Sequence, residues 1–197
     1  PLKTSNRLSR TMLNPNGANL PQVEPYEHDA HGNMIHMPHL KAGPVGTHPQ
    51  NMHWDYKDQL RQTDLGGGGA AFYVYDASGQ RVRKVWEKAP GLTEERIYLG
   101  GFEIFRRHGG AIGANTATLE RETLHVMDDK QRIALVETRT LPRTPDPNDP
   151  LQLIRYQFGN HLGSASLELG DQAQIISYEE YTPDGNSSYQ AVRSQTE

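Results

Sequence analysis

Apolar and polar residues alternate in short runs along most of the chain, and this pattern predicts β-strands rather than helices. In residues 81–88, RVRKVWEK, alternate residues share a face, as on the two sides of a strand. Helical periodicity is nearly absent. Alternation with β-branched or aromatic content predicts nine strands, at residues 70–76, 80–88, 94–99, 102–107, 117–127, 132–140, 151–158, 165–170 and 174–181. The predicted fold class is therefore all-β.

An Asp-x-x-Gly spacing separates several of these runs and predicts the corner of a hairpin. Asp or Asn is favoured at the first position of a type I turn, and glycine follows at the fourth, where φ becomes positive. Such an acidic side chain can accept hydrogen bonds from the backbone just ahead of it. Three corners of this form are predicted, at Asp29 and Gly32, at Asp76 and Gly79, and at Asn160 and Gly163.

Weaker copies of the spacing extend the series and predict one continuous β-layer of hairpins. The first two full corners are offset by 47 residues (76 − 29 = 47), and a degenerate copy lies about midway between them. The weaker copies are Asn14 with Gly17, Asp55 with Asp58, Asp128 with Gln131, and Asp171 with Gln174.

Composition indicates a folded but thinly cored piece of a longer chain. Only 35% of the 197 residues are hydrophobic, and the mean hydropathy is −0.76. The absence of cysteine excludes disulfides, thiolate metal sites and a cysteine nucleophile. A net charge of −4 without a long run of one sign does not indicate a nucleic-acid or anionic-membrane surface. The first ten residues contain neither a signal peptide nor an initiating Met.

The corners and strands resemble those of the RHS/YD-repeat family, which includes Rhs proteins and the C components of insecticidal Tc toxins, and more distantly those of teneurins. The segments that carry the resemblance are YEHDAHGN, YVYDASGQRVRKV, ERIYLGGFEIFRR, ETLHVMDDKQRIALVET, and YQFGNHLGSASLEL with ISYEEYTPDGNSSY. The last pair is similar to the start of the RHS-associated core. The resemblance implies antiparallel YD-repeat β-hairpins that form part of a curved β-shell wall.

The resemblance also implies a division of the chain and a function. It implies a poorly defined N-terminal segment at 1–25, a repeat region at 26–150, and the start of the core at 151–197. In the family, the repeats enclose a toxic C-terminal polypeptide. Implied partners are the remaining RHS repeats of the same polypeptide, the enclosed C-terminal toxin, and secretion or toxin-complex subunits. Nucleic-acid binding and direct membrane insertion are not expected, and the implied location is secreted or cell-surface associated, in a bacterium.

Histidines are concentrated near the N-terminus, but their spacing does not predict a metal site. A metal ion would need two or three of them on one strand face or around one turn, with an oriented second shell. No HExxH or matched pattern is present, and we expect neither a metal nor another cofactor. Six of the nine histidines lie in this region: His28, His31, His36, His39, His48 and His53.

No residue pattern predicts catalysis, and we expect the chain not to be an enzyme. Neighbouring carboxylates on a strand point to opposite faces, so they do not form an acid–base pair. DLGGGG at residues 64–69 lacks the GK[ST] ending of a phosphate loop, and Ser164 lacks a G-x-S-x-G frame. The carboxylate pairs are Glu94 with Glu95, Asp128 with Asp129, and Glu179 with Glu180.

Aromatic residues on the predicted strands allow an alternative function as a cell-surface carbohydrate-binding module. Trp86 and Tyr98 are the candidate sugar contacts, because exposed aromatic rings can stack on sugar rings. Cross-strand packing is the favoured interpretation, because a tyrosine recurs at a fixed distance from the turn Asp, at Tyr26 and at Tyr73. The leading hypothesis is a structural segment of a toxin-enclosing shell.

Overall fold

The structure, a computed structural model, describes residues 5–13, 22–40, 49–89, 91–109, 117–129, 131–143, 150–160, 163–183 and 185–192. These residues form strands, turns and one short 3-10 turn at Gly66–Gly68. The prediction of an all-β fold is confirmed. The strands are β1 Arg10–Leu13, β2 Gln22–Pro25, β3 Glu27–His28, β4 Met34–His36, β5 Met52–Trp54, β6 Leu60–Asp64, β7 Ala70–Tyr75, β8 Arg81–Ala89, β9 Leu92–Leu99, β10 Phe102–His108, β11 Ala117–Asp128, β12 Gln131–Leu141, β13 Gln152–Gly159, β14 Ala165–Leu169, β15 Ile175–Tyr181 and β16 Ser187–Val192.

Strand pairing follows chain order throughout. Strands β5 to β16 form a twelve-stranded sheet in which each strand lies beside its neighbours in the sequence. Strands β1 and β2 form a two-stranded sheet, as do β3 and β4. Successive strands joined by short turns are antiparallel, because a tight turn reverses the chain. The predicted series of antiparallel hairpins is therefore confirmed.

All nine predicted strands are present as β7 to β15, with ends within two residues of the predicted ones. Sequence patterns missed β1 to β6 and β16. The first six are only two to five residues long, which is too short for alternation to stand out from chance. Strand β16, SSYQAV, is exposed at every position, so it has no buried face to give an apolar period.

The chain divides into two compact units, residues 1–94 and 95–197, and each has a small core. Ala71 and Val85 are the buried apolar side chains of the described part of the first unit, and Ala134 is that of the second. Several other buried residues are polar, including Thr63 and Thr123. This burial agrees with the low hydrophobic content. The boundaries expected after residues 25 and 150 stay predictions.

A buried asparagine orders the chain after β4. Asn51 is 0% exposed. Its Oδ1 accepts from the backbone N–H of Met37 at 2.9 Å, and its Nδ2 donates to the carbonyls of Met37 and Leu40, both at 2.8 Å. Only an amide side chain offers one acceptor and two donors in this geometry. Asn51 therefore fixes the turn at residues 37–40 against β5.

We expect Asn51→Ala to lower the free energy of unfolding by roughly 2 kcal/mol, because the partly buried Met37 N–H and the Met37 and Leu40 carbonyls lose their bonds to the amide. Urea unfolding measures this change. Asn186→Ala is the matched control, because the exposed Asn186 keeps its backbone bond to Thr182 Oγ1 and should change stability by less than about 0.5 kcal/mol. Equal effects of the two substitutions would contradict the assigned role of Asn51.

Candidate functional site

Seven corners within the described residues share one backbone pattern. The N–H of the first residue donates to the carbonyl of the fifth, and the N–H of the fourth donates to the carbonyl of the first. At the corner that begins with Asp76, the Asp76 N–H lies 2.9 Å from the Gln80 carbonyl oxygen, and the Gly79 N–H lies 3.2 Å from the Asp76 carbonyl oxygen. The pattern recurs at the turns between β3 and β4, between successive strands from β5 to β8, and between successive strands from β13 to β16. The seven corners begin at Asp29, Asp55, Leu65, Asp76, Asn160, Gly170 and Thr182.

The Asp76 side chain adds hydrogen bonds to those of the backbone at its corner. Its Oδ1 accepts from the N–H of Ser78 at 2.8 Å, the hydroxyl of Ser78 at 2.7 Å, and the N–H of Gln80 at 2.9 Å. Gly79 adopts a φ of +84°. The bonds from the Ser78 hydroxyl and the Gln80 backbone are the main cause of a lowered pKa of Asp76. The ionised carboxylate is therefore the form that holds the turn.

The first predicted corner also has three hydrogen bonds to the carboxylate of its first residue. Asp29 Oδ1 accepts from the N–H groups of Gly32 and Asn33, both at 2.8 Å, and Oδ2 accepts from Asn33 Nδ2 at 3.0 Å. Gly32 has a φ of +100°. Partial desolvation raises the pKa of Asp29, but the bonds from Asn33 and from the turn backbone outweigh it and lower the pKa.

The third predicted corner uses an amide in place of a carboxylate. Asn160 Oδ1 accepts from the N–H of Ser164 at 3.0 Å, and Gly163 has a φ of +82°. The structure thus places all six predicted turn residues at corners of one form. They lie at separate corners: the residues at 29–32 and 76–79 belong to the first unit and those at 160–163 to the second.

Two corners lack glycine at the fourth position. Asp58 takes a φ of +58° at the corner that begins with Asp55, and Ala173 takes a φ of +58° at the corner that begins with Gly170. The corner expected to begin at Asp171 was therefore placed one residue too late. A positive φ costs a non-glycine residue free energy, which these corners tolerate.

The two remaining weak copies of the Asp-x-x-Gly spacing do not provide further five-residue corners among the described residues. Asp128 pairs directly across the hairpin with Gln131, and Asp129 between them has a φ of +47°. This connection is a two-residue loop rather than a five-residue corner. The copy predicted at Asn14 and Gly17 lies outside the described residues.

Neighbouring corners of the first unit contact each other through side chains. Asp58 Oδ1 lies 2.8 Å from His31 Nδ1 and accepts from Asn33 Nδ2 at 2.8 Å. The bonds from Asn33 and His31 lower the pKa of Asp58, and the bond to Asp58 raises the pKa of His31. Asp58 was predicted only as a turn position, because no local pattern specifies contact between residues 27 positions apart.

The two aromatic residues singled out for sugar binding lie on β8 and β9. The indole N–H of Trp86 donates to the carbonyl of Gly68 at 2.8 Å. The Nζ of Lys88 lies 4.2 Å from the Trp86 ring centroid and that of Lys84 lies 5.8 Å from it. These cations would compete with a sugar for the ring. A carbohydrate role for Trp86 and Tyr98 stays a prediction.

The histidines of the N-terminal region are dispersed. His36 is buried, with Nδ1 2.8 Å from the carbonyl oxygen of Pro49, whereas His31 contacts Asp58. His48 lies outside the described residues. In the part of the chain that the structure describes, no three His, Asp or Glu side chains are placed to hold a metal ion. None of the described helices is long and apolar enough to cross a membrane.

Among the pairs of adjacent carboxylates considered for catalysis, Glu95 of the Glu94–Glu95 pair belongs to an ionic cluster on β9 to β12. Arg106 donates to Glu120 at 2.7 Å and lies 3.8 Å from Glu95. His108 Nε2 lies 3.6 Å from the same Glu95 oxygen. Hydrogen bonds from Thr140 and Arg106 lower the pKa of Glu120. The cluster holds four strands together and places its charges on one face of the sheet.

Beside this cluster, cross-strand partners form an apolar face in the second unit, defined by three rows. Part of this face is a groove of about 790 Å³ between β11, β12 and β13, lined by Val126, Ile133, Val136, Ile154, Tyr156 and Phe158 among others. Phe158 is 53% exposed. The rows are Leu124, Val136 and Ile154; Val126, Ala134, Tyr156 and Leu169; and Phe158, Leu167 and Tyr178.

The opposite face of the second unit carries a polar row with one member from each of seven consecutive strands, β9 to β15. Arg96 donates to Glu103 at 2.6 Å, and Glu103 lies 3.2 Å from His125. Arg132 bridges His125 and Gln157. Gln157 donates to Glu168, which also accepts from Ser177 at 2.9 Å. The row was missed because the pairing register, which sequence patterns do not give, determines which polar residues meet.

Comparisons with known proteins agree with this architecture. No protein-family model matches the chain. Over 160 residues the chain is 31% identical to toxin subunit YenC1 of Yersinia entomophaga, an alignment that covers 75% of the chain and 15% of that relative. The crystal structure of TcdB2-TccC3-TEV has a similar fold, with a TM-score of 0.62 and 22% identity over 95% of this chain and 10% of that one.

The chain-ordered antiparallel sheet and this likeness in fold define an all-β protein built from successive hairpins. The chain is an RHS/Tc-toxin C-component-like protein, as the sequence resemblance implied. It spans about 15% of the length of the curated relative that it matches.

We expect Gly79→Ala to lower the free energy of unfolding by about 1–2 kcal/mol, because a side chain is disfavoured at a φ of +84°. Gly67→Ala is the matched control: the added Cβ meets nothing within 4 Å and φ is not positive. Ala173→Gly should do the opposite and raise stability by up to about 1 kcal/mol. Urea unfolding of the three variants measures these changes, and equal effects at Gly79 and Gly67 would contradict the corner geometry.

The Asp76 corner should also make stability depend on pH. Because the folded-state pKa of Asp76 is lowered, its contribution is present above the unfolded-state pKa, about 3.9, and is lost as pH falls through the folded value. Asp76→Asn cannot titrate. The stability difference between the parent and this variant should therefore shrink between about pH 6 and about pH 2, as measured by urea unfolding. A constant difference over this range would show that the carboxylate charge does not hold the corner.

Proposed function

We propose that this chain is a non-catalytic wall segment of an RHS-repeat shell that encloses a toxic C-terminal polypeptide. The observation that carries the proposal is the chain-ordered sheet with scarcely any core of its own. Each strand is stabilised mainly by its two neighbours, as in a repeat array. Such a sheet can be extended by further hairpins into a wall of any length, and the relative named as a toxin subunit supports a toxin-related role.

The second unit has a surface suited to holding an unfolded chain. Its apolar face includes exposed side chains such as Phe158, Tyr156 and Ile133. The charges of Glu95, Arg106 and Glu120 lie beside it. An exposed apolar face with charged side chains beside it is typical of an interaction surface, and here it would contact the enclosed polypeptide.

The partners of such a wall follow from its place in a longer protein. They are the remaining RHS repeats of the same polypeptide, the enclosed C-terminal toxin, and the secretion or toxin-complex subunits that deliver it. The location proposed with this function is outside the bacterial cell or at its surface. Carbohydrate binding is less favoured, because Trp86 already donates its indole N–H to Gly68 and has a lysine 4.2 Å from its ring.

Protease protection of the full-length protein tests this function. We expect the C-terminal polypeptide to resist digestion within the intact protein and to be cleaved rapidly when expressed by itself. Gly79→Val, which strains one corner of the wall, should increase cleavage, whereas Gly67→Ala should leave protection unchanged. Equal digestion of the C-terminal polypeptide inside the intact protein and in isolation would overturn the proposal.

A further inference from the structure

The junction between β4 and β5 differs from the later junctions of the chain. From β5 to β16, each strand is hydrogen-bonded to the next one within a single sheet, whereas β4 belongs with β3 to a separate sheet. No ladder therefore pairs β4 with β5 in the part of the chain that the structure describes. A backbone hydrogen bond at one end of this junction joins the Asn51 N–H to the Ile35 carbonyl at 3.0 Å. We call the junction between residues 34–36 and residues 49–54 the seam.

Side chains hold the seam where the ladder is missing. The indole N–H of Trp54 on β5 donates to the carbonyl of Met34 on β4 at 2.8 Å. Asn51, just before β5, is buried and binds the backbone just after β4 through its amide. His36, at the end of β4, is also buried, with Nδ1 2.8 Å from the carbonyl oxygen of Pro49. The β3–β4 hairpin can therefore move away from β5 without breaking a ladder.

One carboxylate joins the two corners that flank the seam. Asp58, in the corner after β5, accepts at Oδ1 from Asn33 Nδ2 at 2.8 Å and lies 2.8 Å from His31 Nδ1. Asn33 and His31 both belong to the corner before β4. The Asn33 amide also donates to Asp29 Oδ2 at 3.0 Å, so it links the carboxylates of the two corners. An amide does not titrate, so this link is independent of the charge on His31.

The backbone of Asp58 indicates that the side chain is important at this position. Asp58 is the fourth residue of its corner and has a φ of +58°, a conformation that favours glycine. Gly32 and Gly79 occupy the same position in two other corners. Ala173 shares the φ of +58° at its own corner, but its methyl group cannot accept a hydrogen bond. A sparsely populated conformation at a residue with specific contacts points to a role for that side chain.

We propose that the seam is a hinge of the first unit and that the contacts of Asp58 with Asn33 and His31 are a strap that holds it closed. Opening would move the β3–β4 hairpin away from β5. The β5–β6 and β7–β8 hairpins would keep their ladders, because their strands are paired directly. Such a hinge lets the chain before β5 change its angle to the sheet without unfolding the sheet. The inference does not depend on the presence of an enclosed polypeptide.

Hydrogen–deuterium exchange of the full-length protein at neutral pH tests the strap. Asp58→Gly removes the carboxylate and relieves the backbone at the same residue. Exchange in the β3–β4 hairpin should rise about threefold to tenfold, because two hydrogen bonds across the seam are lost. Exchange in the β5–β6 hairpin should not rise, because glycine suits the positive φ of the corner. Exchange in the β7–β8 hairpin at the level of the parent shows that the variant is folded.

Two further variants separate the strap from the backbone effect. Ala173→Gly is the matched control, because it relieves the same φ at a corner without a strap, and exchange in β3–β4 should not change. Trp54→Phe removes the indole donor from the seam and leaves both corners intact, so exchange in β3–β4 should rise by up to about tenfold.

The outcomes that overturn the proposal are specific. The strap is refuted if Asp58→Gly leaves exchange in β3–β4 at the level of the parent, or if Ala173→Gly raises it equally. The hinge is refuted if exchange in β5–β6 rises as much as in β3–β4, or if Trp54→Phe leaves β3–β4 fully protected.

Discussion

The five-residue corner is the element on which the rest of this structure depends. Its backbone bonds reverse the chain, and at five of the seven described corners the side chain at the first position adds bonds to the same backbone, as Asp76 does with Ser78 and Gln80. Because each corner returns the chain beside the strand that it has just left, pairing follows chain order. The sheet can therefore grow hairpin by hairpin without long-range crossovers.

This mode of construction explains the small core. A wall built by neighbour pairing is stabilised by its backbone ladder and by side-chain rows across the strands, with little burial between layers. The second unit has both kinds of row: Val126, Ala134 and Tyr156 belong to the apolar face, and Glu103 and His125 belong to the polar row. The two faces are chemically distinct, which agrees with the proposal of a wall between an enclosed chain and the outside.

Much of the fold was predictable because its signals are local. Alternation predicted β7 to β15, and the Asp-x-x-Gly spacing found Asp29 and Asp76, whose turn chemistry depends on four or five adjacent residues. The corners with Asp58 or Ala173 at the fourth position were harder to locate in the sequence, because neither residue type indicates a positive φ as glycine does. The clamp made by Asn51 and the polar row through His125 could not be predicted, since both depend on register and contact between distant residues.

Cryo-electron microscopy of the full-length protein is the most direct test of the proposed wall. We expect a closed shell in which residues 5–192 form consecutive hairpins of the wall, with weak, irregular density for the C-terminal polypeptide inside it. A C-terminal polypeptide folded outside the shell, or hairpins of this segment packed into a solid domain, would contradict the enclosing function.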